Sequence, residues 1–147
     1  MREVNIYIGA YVNFLRIGAY GAVIEDNGKT RELSRCYHST TEYRIRLSGV
    51  TAALNTLTES CEVTLYTDSE YVVNGINKGW AKSWSRNNWR ISDGKEAKNA
   101  DLWAKLLNLT EKHNIDFVWI RCRNGFEYGN EYFKRCDELA IDSVRRG

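Results

Sequence analysis

The sequence predicts one α/β domain over residues 1–147, in which three antiparallel strands are followed by alternating helices and strands. Three observations predict this class. Near the N-terminus, strand-like segments are joined by short turns, whereas after residue 40 helical periodicity alternates with short β-branched segments. A composition of 43% hydrophobic and 27% charged residues is typical of a folded domain. A length of 147 residues is enough for one hydrophobic core.

The three predicted strands of the N-terminal half are rich in β-branched and aromatic residues. They are predicted over Glu3–Ile8, Tyr20–Ile24 and Arg31–Tyr37. The second and third are joined by Asp26–Lys29, which contains an Asn-Gly dipeptide. Asn and Gly tolerate positive φ, so this segment predicts a tight hairpin turn and an antiparallel meander.

The rest of the chain alternates between predicted helices and strands. A helix begins after Thr40 or Thr41, either of which can cap it, and its apolar face consists of Tyr43, Leu47, Val50, Leu54 and Leu57. The elements predicted after it are a strand over Cys61–Thr67, a helix capped by Asp68-Ser69, a helix from about Asn99 to His113, a strand over Asp116–Arg121 and a helix over about Asn130–Arg145.

Composition excludes several classes of protein. No apolar stretch is long enough to span a membrane, and the N-terminus lacks the layout of a signal peptide, so we expect a cytoplasmic protein with no membrane partner. The four cysteines form no C-x-x-C pair, which disfavours a zinc site, and in the cytoplasm we expect them to be reduced. A net charge of +2 is too small to indicate a polyanionic partner by itself.

Several short motifs occur in a fixed order over nearly the whole chain. They are Gly18–Val23, Thr40–Leu47, Tyr66–Val72, the segment with Trp80, Trp84 and Trp89, then Lys98–Trp103, Val118–Arg121 and Arg135–Ala140. In this order and at this spacing they resemble the ribonuclease H family, type 1. The resemblance implies a ribonuclease H-like fold, a five-stranded mixed sheet with three antiparallel strands first and helices on both faces.

The resemblance also implies which side chains would perform the chemistry. The family hydrolyses phosphodiesters with two Mg²⁺ ions, which are held by four carboxylates and assisted by a histidine. This sequence matches two of the carboxylates, Asp68 and Asp137. The other family positions are occupied by Gly9, Arg46 and Arg123. No shift in alignment restores the acids, because residues 4–24 and 43–58 contain neither Asp nor Glu.

An arginine at the second of these positions changes the electrostatics of the site. Arg46 cannot ligate Mg²⁺, and its charge opposes the entry of a metal ion. We expect it to pair with Asp68 or Asp137, or else with Glu42 one turn earlier on the same helix. On this basis the sequence predicts a catalytically impaired or inactive ribonuclease H-like protein with no cofactor, which retains nucleic-acid binding or acts as a scaffold.

Two alternatives remain open at the level of sequence. The first is an active ribonuclease on RNA/DNA hybrids whose metal site is rebuilt around Asp68 and Asp137, with Glu42, Glu70 or Glu131 as further ligands. Such a site would take Mg²⁺ or Mn²⁺. The second alternative is a protein-interaction module that reuses the fold.

The segment between Lys78 and Lys98 combines basic and aromatic residues, which suits contact with a nucleic-acid backbone. By resemblance it is the family's basic protrusion, so we expect an RNA/DNA hybrid or a duplex as partner. Lys82, Arg86 and Arg90 are predicted to contact phosphates, as is Thr41 by its match to a family position. Trp80 and Trp84 are candidates for the same interface, although packing in the core is the favoured interpretation of these tryptophans.

Two apolar loops depart from the family pattern. The first contains Phe14, Leu15 and Ile17, and the second contains Phe126 and Tyr128. Apolar loops require burial, so these either fold onto their own domain or form a surface for a protein partner or for self-association.

Overall fold

Residues 1–121 and 130–147 are described by a computed structural model of the chain. The elements in chain order are β1 (Arg2–Val12), β2 (Gly18–Asp26), β3 (Lys29–Tyr37), α1 (Glu42–Asn55), β4 (Cys61–Thr67), α2 (Glu70–Asn77), α3 (Trp80–Arg86), α4 (Ala100–Lys112), β5 (Asn114–Trp119) and α5 (Glu131–Arg146). The strands form one sheet in the order β3-β2-β1-β4-β5. The first three pair antiparallel, and β4 pairs parallel with β1 and β5. The predicted five-stranded mixed sheet is therefore confirmed.

Local sequence signals account for several element boundaries. Strand β4 begins and ends at the predicted residues, and its side chains alternate between buried and half-buried. Helix α1 begins after Thr41, whose hydroxyl accepts a hydrogen bond from the backbone N–H of Arg44. Helix α2 is capped in the same way by Ser69. The hairpin turn has φ values of 54° at Asn27 and 82° at Gly28, as an Asn-Gly dipeptide allows.

Four strands differ from their predicted bounds because pairing, and not local composition, decides where a strand ends. Strand β3 begins at Lys29, which pairs with Asp26, and not at Arg31. Strands β1 and β2 remain paired as far as Val12 and Gly18, so both are longer than predicted. Strand β5 lies over Asn114–Trp119 and not over Asp116–Arg121, because it pairs with β4 from Glu62 to Thr67 and ends where β4 ends.

Tyr43 was predicted on the buried face of α1, and that prediction is wrong. Its side chain is 56% exposed, whereas Ile45, Leu47 and Val50 are fully buried. The first turn of α1 faces α2, so the ring of Tyr43 stacks on that of Tyr71, with centroids 4.3 Å apart.

The hydrophobic core has two parts, one on each face of the sheet. The larger part lies between the sheet and helices α1 and α4, and the smaller part is formed with α5 by Tyr7, Val23, Phe133 and Cys136. The three described cysteines are unpaired thiols. Among the described residues, no helix combines the length and apolar character needed to cross a membrane.

Candidate active site and nucleic-acid interface

Asp68 lies at the carboxyl end of β4, between the last strand residue and the cap of α2. Its position is fixed through the backbone, because the indole N–H of Trp119 donates to the Asp68 carbonyl oxygen at 3.3 Å. The next N–H, of Ser69, donates to the hydroxyl of Thr67 at 3.2 Å. Carboxyl ends of parallel strands commonly hold functional groups in open α/β sheets.

Arg46, on α1, lies against this carboxylate. Its Nε donates to Oδ1 of Asp68 at 2.9 Å and its Nη2 donates to Oδ2 at 3.2 Å. Its Nη1 donates to the backbone carbonyl of Glu42 at 3.1 Å and also to the Glu42 carboxylate. The two pairings considered for Arg46, with the site aspartate and along the helix, are therefore both present.

The guanidinium is firmly charged in this position. The Arg46 side chain is 14% exposed and that of Asp68 is 21% exposed. Burial opposes the charge, but the hydrogen bonds and charges of Asp68 and Glu42 outweigh it and raise the pKa of Arg46 above its ordinary value. A fixed cation thus lies against the carboxylate of Asp68.

Asp137, on α5, approaches the sheet at Gly9. A Cβ atom added to Gly9 would lie 2.8 Å from Oδ1 of Asp137 and 2.9 Å from Cβ of Cys136. Gly9 pairs across the strands with Gly21, where an added Cβ would lie 1.9 Å from the Cys136 carbonyl oxygen. The glycine pair therefore lets α5 pack directly on the backbone of β1 and β2, and the Asp137 carboxylate takes up the space above Gly9.

Arg46 and Asp68 open onto a cavity of about 260 Å³. Its other lining residues are Glu42, Tyr43, Ser69, Glu70, Tyr71 and Trp119. The acidic residues Glu42 and Glu70 were candidates from sequence, whereas Trp119 was not. Trp119 is the last residue of β5, the strand that pairs with β4. That position was the signal that could have identified Trp119.

The residues of this site do not fit the family's pair of metal ions. Within residues 1–121 and 130–147 there is no group of three or more His, Cys, Asp or Glu side chains placed to hold a metal ion. Both carboxylate oxygens of Asp68 already accept hydrogen bonds from a guanidinium. The donor set needed for Mg²⁺, several converging carboxylates, is replaced here by an ion pair.

The basic protrusion corresponds to α3 and the segment after it. Lys82, Arg86 and Arg90 are all exposed there. Trp84 is half-buried and packs edge-on against Trp103, with ring centroids 6.0 Å apart. This contact favours the alternative that Trp84 packs in the core. Trp80 is 39% exposed and has the ammonium of Lys78 above its ring.

The remaining predicted residues lie elsewhere. Thr41 is exposed at the start of α1. Phe14 and Leu15 are 94% and 63% exposed, whereas Ile17 is half-buried, so only two of these three apolar side chains are displayed at the β1–β2 turn. The predicted residues Arg123, Phe126 and Tyr128 lie outside the described part of the chain.

Comparison of the whole sequence corrects the functional prediction. The chain is 46% identical over 124 residues to "Ribonuclease H" of Rippkaea orientalis, covering 84% of this chain and 74% of that protein. It is 40% identical over 147 residues to "Ribonuclease H" of Desulforamulus reducens, covering 99% and 90%. Relatives this similar that are named for the activity point to an active ribonuclease. The prediction of an impaired or inactive protein was wrong.

Solved structures show the same fold at lower sequence identity. LC9-RNase H1, described as a type 1 RNase H with the type 2 active-site motif, aligns with a TM-score of 0.82 at 21% identity, over 99% of this chain and 73% of its own. LC11-RNase H1, solved in complex with an RNA/DNA hybrid, aligns with a TM-score of 0.68 at 22% identity, over 97% of both chains.

The family model described as RNase H matches residues 2–145, which is nearly the entire sequence. This match agrees with the strand order and with the relatives' names. The chain belongs to the ribonuclease H family.

Proposed function

We propose that this chain is a ribonuclease that hydrolyses the RNA strand of an RNA/DNA hybrid, with Asp68 and Asp137 as its catalytic carboxylates. The observation that supports this most directly is the 40–46% identity of the chain to proteins named ribonuclease H. The two aspartates are proposed because the resemblance predicts catalytic carboxylates at Asp68 and Asp137. The hybrid is proposed as substrate because LC11-RNase H1, which shares the fold, was solved with one.

The residues of the site provide a carboxylate in a fixed orientation. The paired hydrogen bonds from Arg46 hold both oxygens of Asp68, and Trp119 holds its backbone. An ionised carboxylate beside the scissile phosphate can accept the proton of an attacking water molecule, which is general base catalysis. Glu42 and Glu70 line the same cavity and are the further acidic groups of this rebuilt site.

Substrate binding is assigned to exposed cations and to the start of α1. The protrusion exposes the side chains of Lys82, Arg86 and Arg90. Exposed cations suit contact with backbone phosphates. Thr41 is the fourth phosphate contact, and Trp80 offers an exposed ring at the same surface. Replacing the three cations by alanine is expected to weaken hybrid binding similarly for all sequences and to flatten its salt dependence. A cytoplasmic location stays a prediction.

The test is cleavage of a hybrid labelled on its RNA strand, measured with Mg²⁺, with Mn²⁺ and with EDTA. We expect fragments of the RNA strand only, and a loss of at least about 100-fold in Asp68→Asn and in Asp137→Asn. Asp101→Asn is the matched control, since Asp101 is an exposed aspartate paired with Arg44 outside the site. Cleavage that is absent under all three conditions, or unchanged in both site variants, would contradict the proposal.

A further inference from the structure

Among the residues that the structure describes, one N–H donor of the Arg46 guanidinium has no hydrogen-bond acceptor. A guanidinium carries five N–H groups. Four of these N–H groups take part in the contacts described above: one on Nε and one on Nη2 with Asp68, and both on Nη1 with Glu42. The donor that remains among the described contacts is the second N–H of Nη2, the nitrogen that already holds Asp68.

The charges around the cavity show why a cation is needed there. Three carboxylates, those of Glu42, Asp68 and Glu70, line the same cavity as the Arg46 guanidinium. A phosphodiester carries a further negative charge, and like charges that share one half-buried cavity repel each other strongly. Without a cation, the strand to be cleaved would therefore be repelled from its own catalytic carboxylate.

The ion pair competes with a divalent ion for Asp68. Each oxygen of the carboxylate already accepts a hydrogen bond from Arg46, so a metal would have to share those oxygens with the guanidinium. The positive charge of the guanidinium opposes the approach of a second cation. The pair is also largely shielded from water, with side chains 14% and 21% exposed, so salt screens it weakly.

We propose that Arg46 is a tethered cation that contacts a backbone phosphate of the bound strand beside Asp68, so that the hybrid binds at this site without a divalent ion. This rests on the proposed function, because it takes the hybrid as the ligand. Its ligand class is a phosphodiester, and arginine suits it because its planar fork can serve a carboxylate and a phosphate oxygen together. Arg46 is then a binding residue of the active site and not only a structural one.

The experiment measures hybrid affinity and melting temperature for the wild type and for Arg46→Glu, in EDTA and in millimolar Mg²⁺ or Mn²⁺ at matched ionic strength. We expect wild-type affinity to be the same within about twofold in EDTA and in Mg²⁺, and its melting temperature to be unaffected by Mn²⁺. We expect Arg46→Glu to bind at least about tenfold more weakly in EDTA, to recover with Mg²⁺ and to melt higher with Mn²⁺.

Two further variants keep the result interpretable. Arg44→Glu is the matched control, because it makes the same charge change two residues earlier on α1, where Arg44 pairs with the exposed Asp101. It should show none of these cation effects. Arg46→Gln removes the positive charge without adding a negative one, and it should show the same effects at smaller size. It replaces Arg46→Glu in the experiment if that variant does not fold.

The outcomes separate this proposal from the proposed function. Unchanged affinity of the Arg46 variants in EDTA, or Mn²⁺ raising the melting temperature of the wild type as much as theirs, would overturn the tethered cation. A wild type that binds no hybrid under any condition would overturn the proposed function. In that case the phosphate contact falls with it, and a melting temperature that responds to Mn²⁺ only in the Arg46 variants would show that Arg46 keeps the ion away from Asp68.

Discussion

The described surroundings of the two candidate aspartates differ in kind. Asp68 is fixed by charge, through two hydrogen bonds from a guanidinium that is itself shared with Glu42. Asp137 is placed by close packing, because α5 lies directly on a pair of glycines and brings the carboxylate to within 2.8 Å of where a Cβ of Gly9 would be.

This difference shows two kinds of compensation at the positions where the resemblance predicts an acid. At Arg46 a cation compensates the charge of Asp68. At Gly9 there is no side chain, and the neighbouring helix fills the space. We therefore expect that changing only one of these residues to an acid does not create the full set of four carboxylates.

The largest effect is expected when the cation at Asp68 is removed. Arg46→Ala leaves a half-buried carboxylate without its partner and should destabilise the fold by about 3 kcal/mol. The matched Arg44→Ala breaks an ion pair whose side chains are 39% and 59% exposed, and it should cost under about 1 kcal/mol. Denaturant unfolding of both variants measures the difference. Equal losses would show that burial does not distinguish the two pairs.

A smaller effect is expected when the packing at Asp137 is disturbed. Gly9→Ala places a methyl group 2.8 Å from Asp137 Oδ1 and 2.9 Å from Cys136 Cβ, so α5 must shift, at a cost of about 2 kcal/mol. Combined with Asp137→Ala, the same substitution should cost less, because one of the two clashing atoms is gone. Strictly additive losses in the double variant would assign the cost to something other than this contact.

The fold was predictable from sequence because its signals are local. The Asn-Gly turn, the cap at Ser69 and the alternation along Cys61–Thr67 each require only neighbouring residues, and each was placed correctly. The errors occurred where distant partners decide. Strand β5 ends at Trp119 because β4 ends at Thr67, and no local pattern near Trp119 contains that information.

The site was predictable only in part, because its packing also depends on distant partners. The ion pair between Arg46 and Asp68 followed from charge and from the family's register, and the structure confirms it. The tight contact above Gly9 was not predictable, because it depends on how closely α5 packs. Activity was judged wrongly because counting the ligands of one mechanism says nothing about how a site with other residues could work.

The smallest effect is expected at the exposed ion pair of Arg44 and Asp101, which serves as a reference for the buried pair of Arg46 and Asp68. The hydrogen bonds from Arg44, followed by its charge, lower the pKa of Asp101 below the ordinary value. A carboxyl group whose pKa is lower in the folded state binds protons more readily when unfolded. Its stabilisation is therefore fully present above about pH 4, the ordinary pKa of an aspartate, and is lost as the pH falls through the lowered folded value.

Wild type and Arg44→Ala should accordingly differ slightly in stability near neutral pH and converge as the pH falls below about 4. Screening by solvent keeps this difference small, because Asp101 is 59% exposed. Thermal melts of the two proteins from about pH 2 to pH 7 measure it. A gap that stays constant over this range would mean that Arg44 stabilises α1 through its aliphatic chain and not through its charge. The exposed pair would then be no electrostatic reference for Arg46 and Asp68.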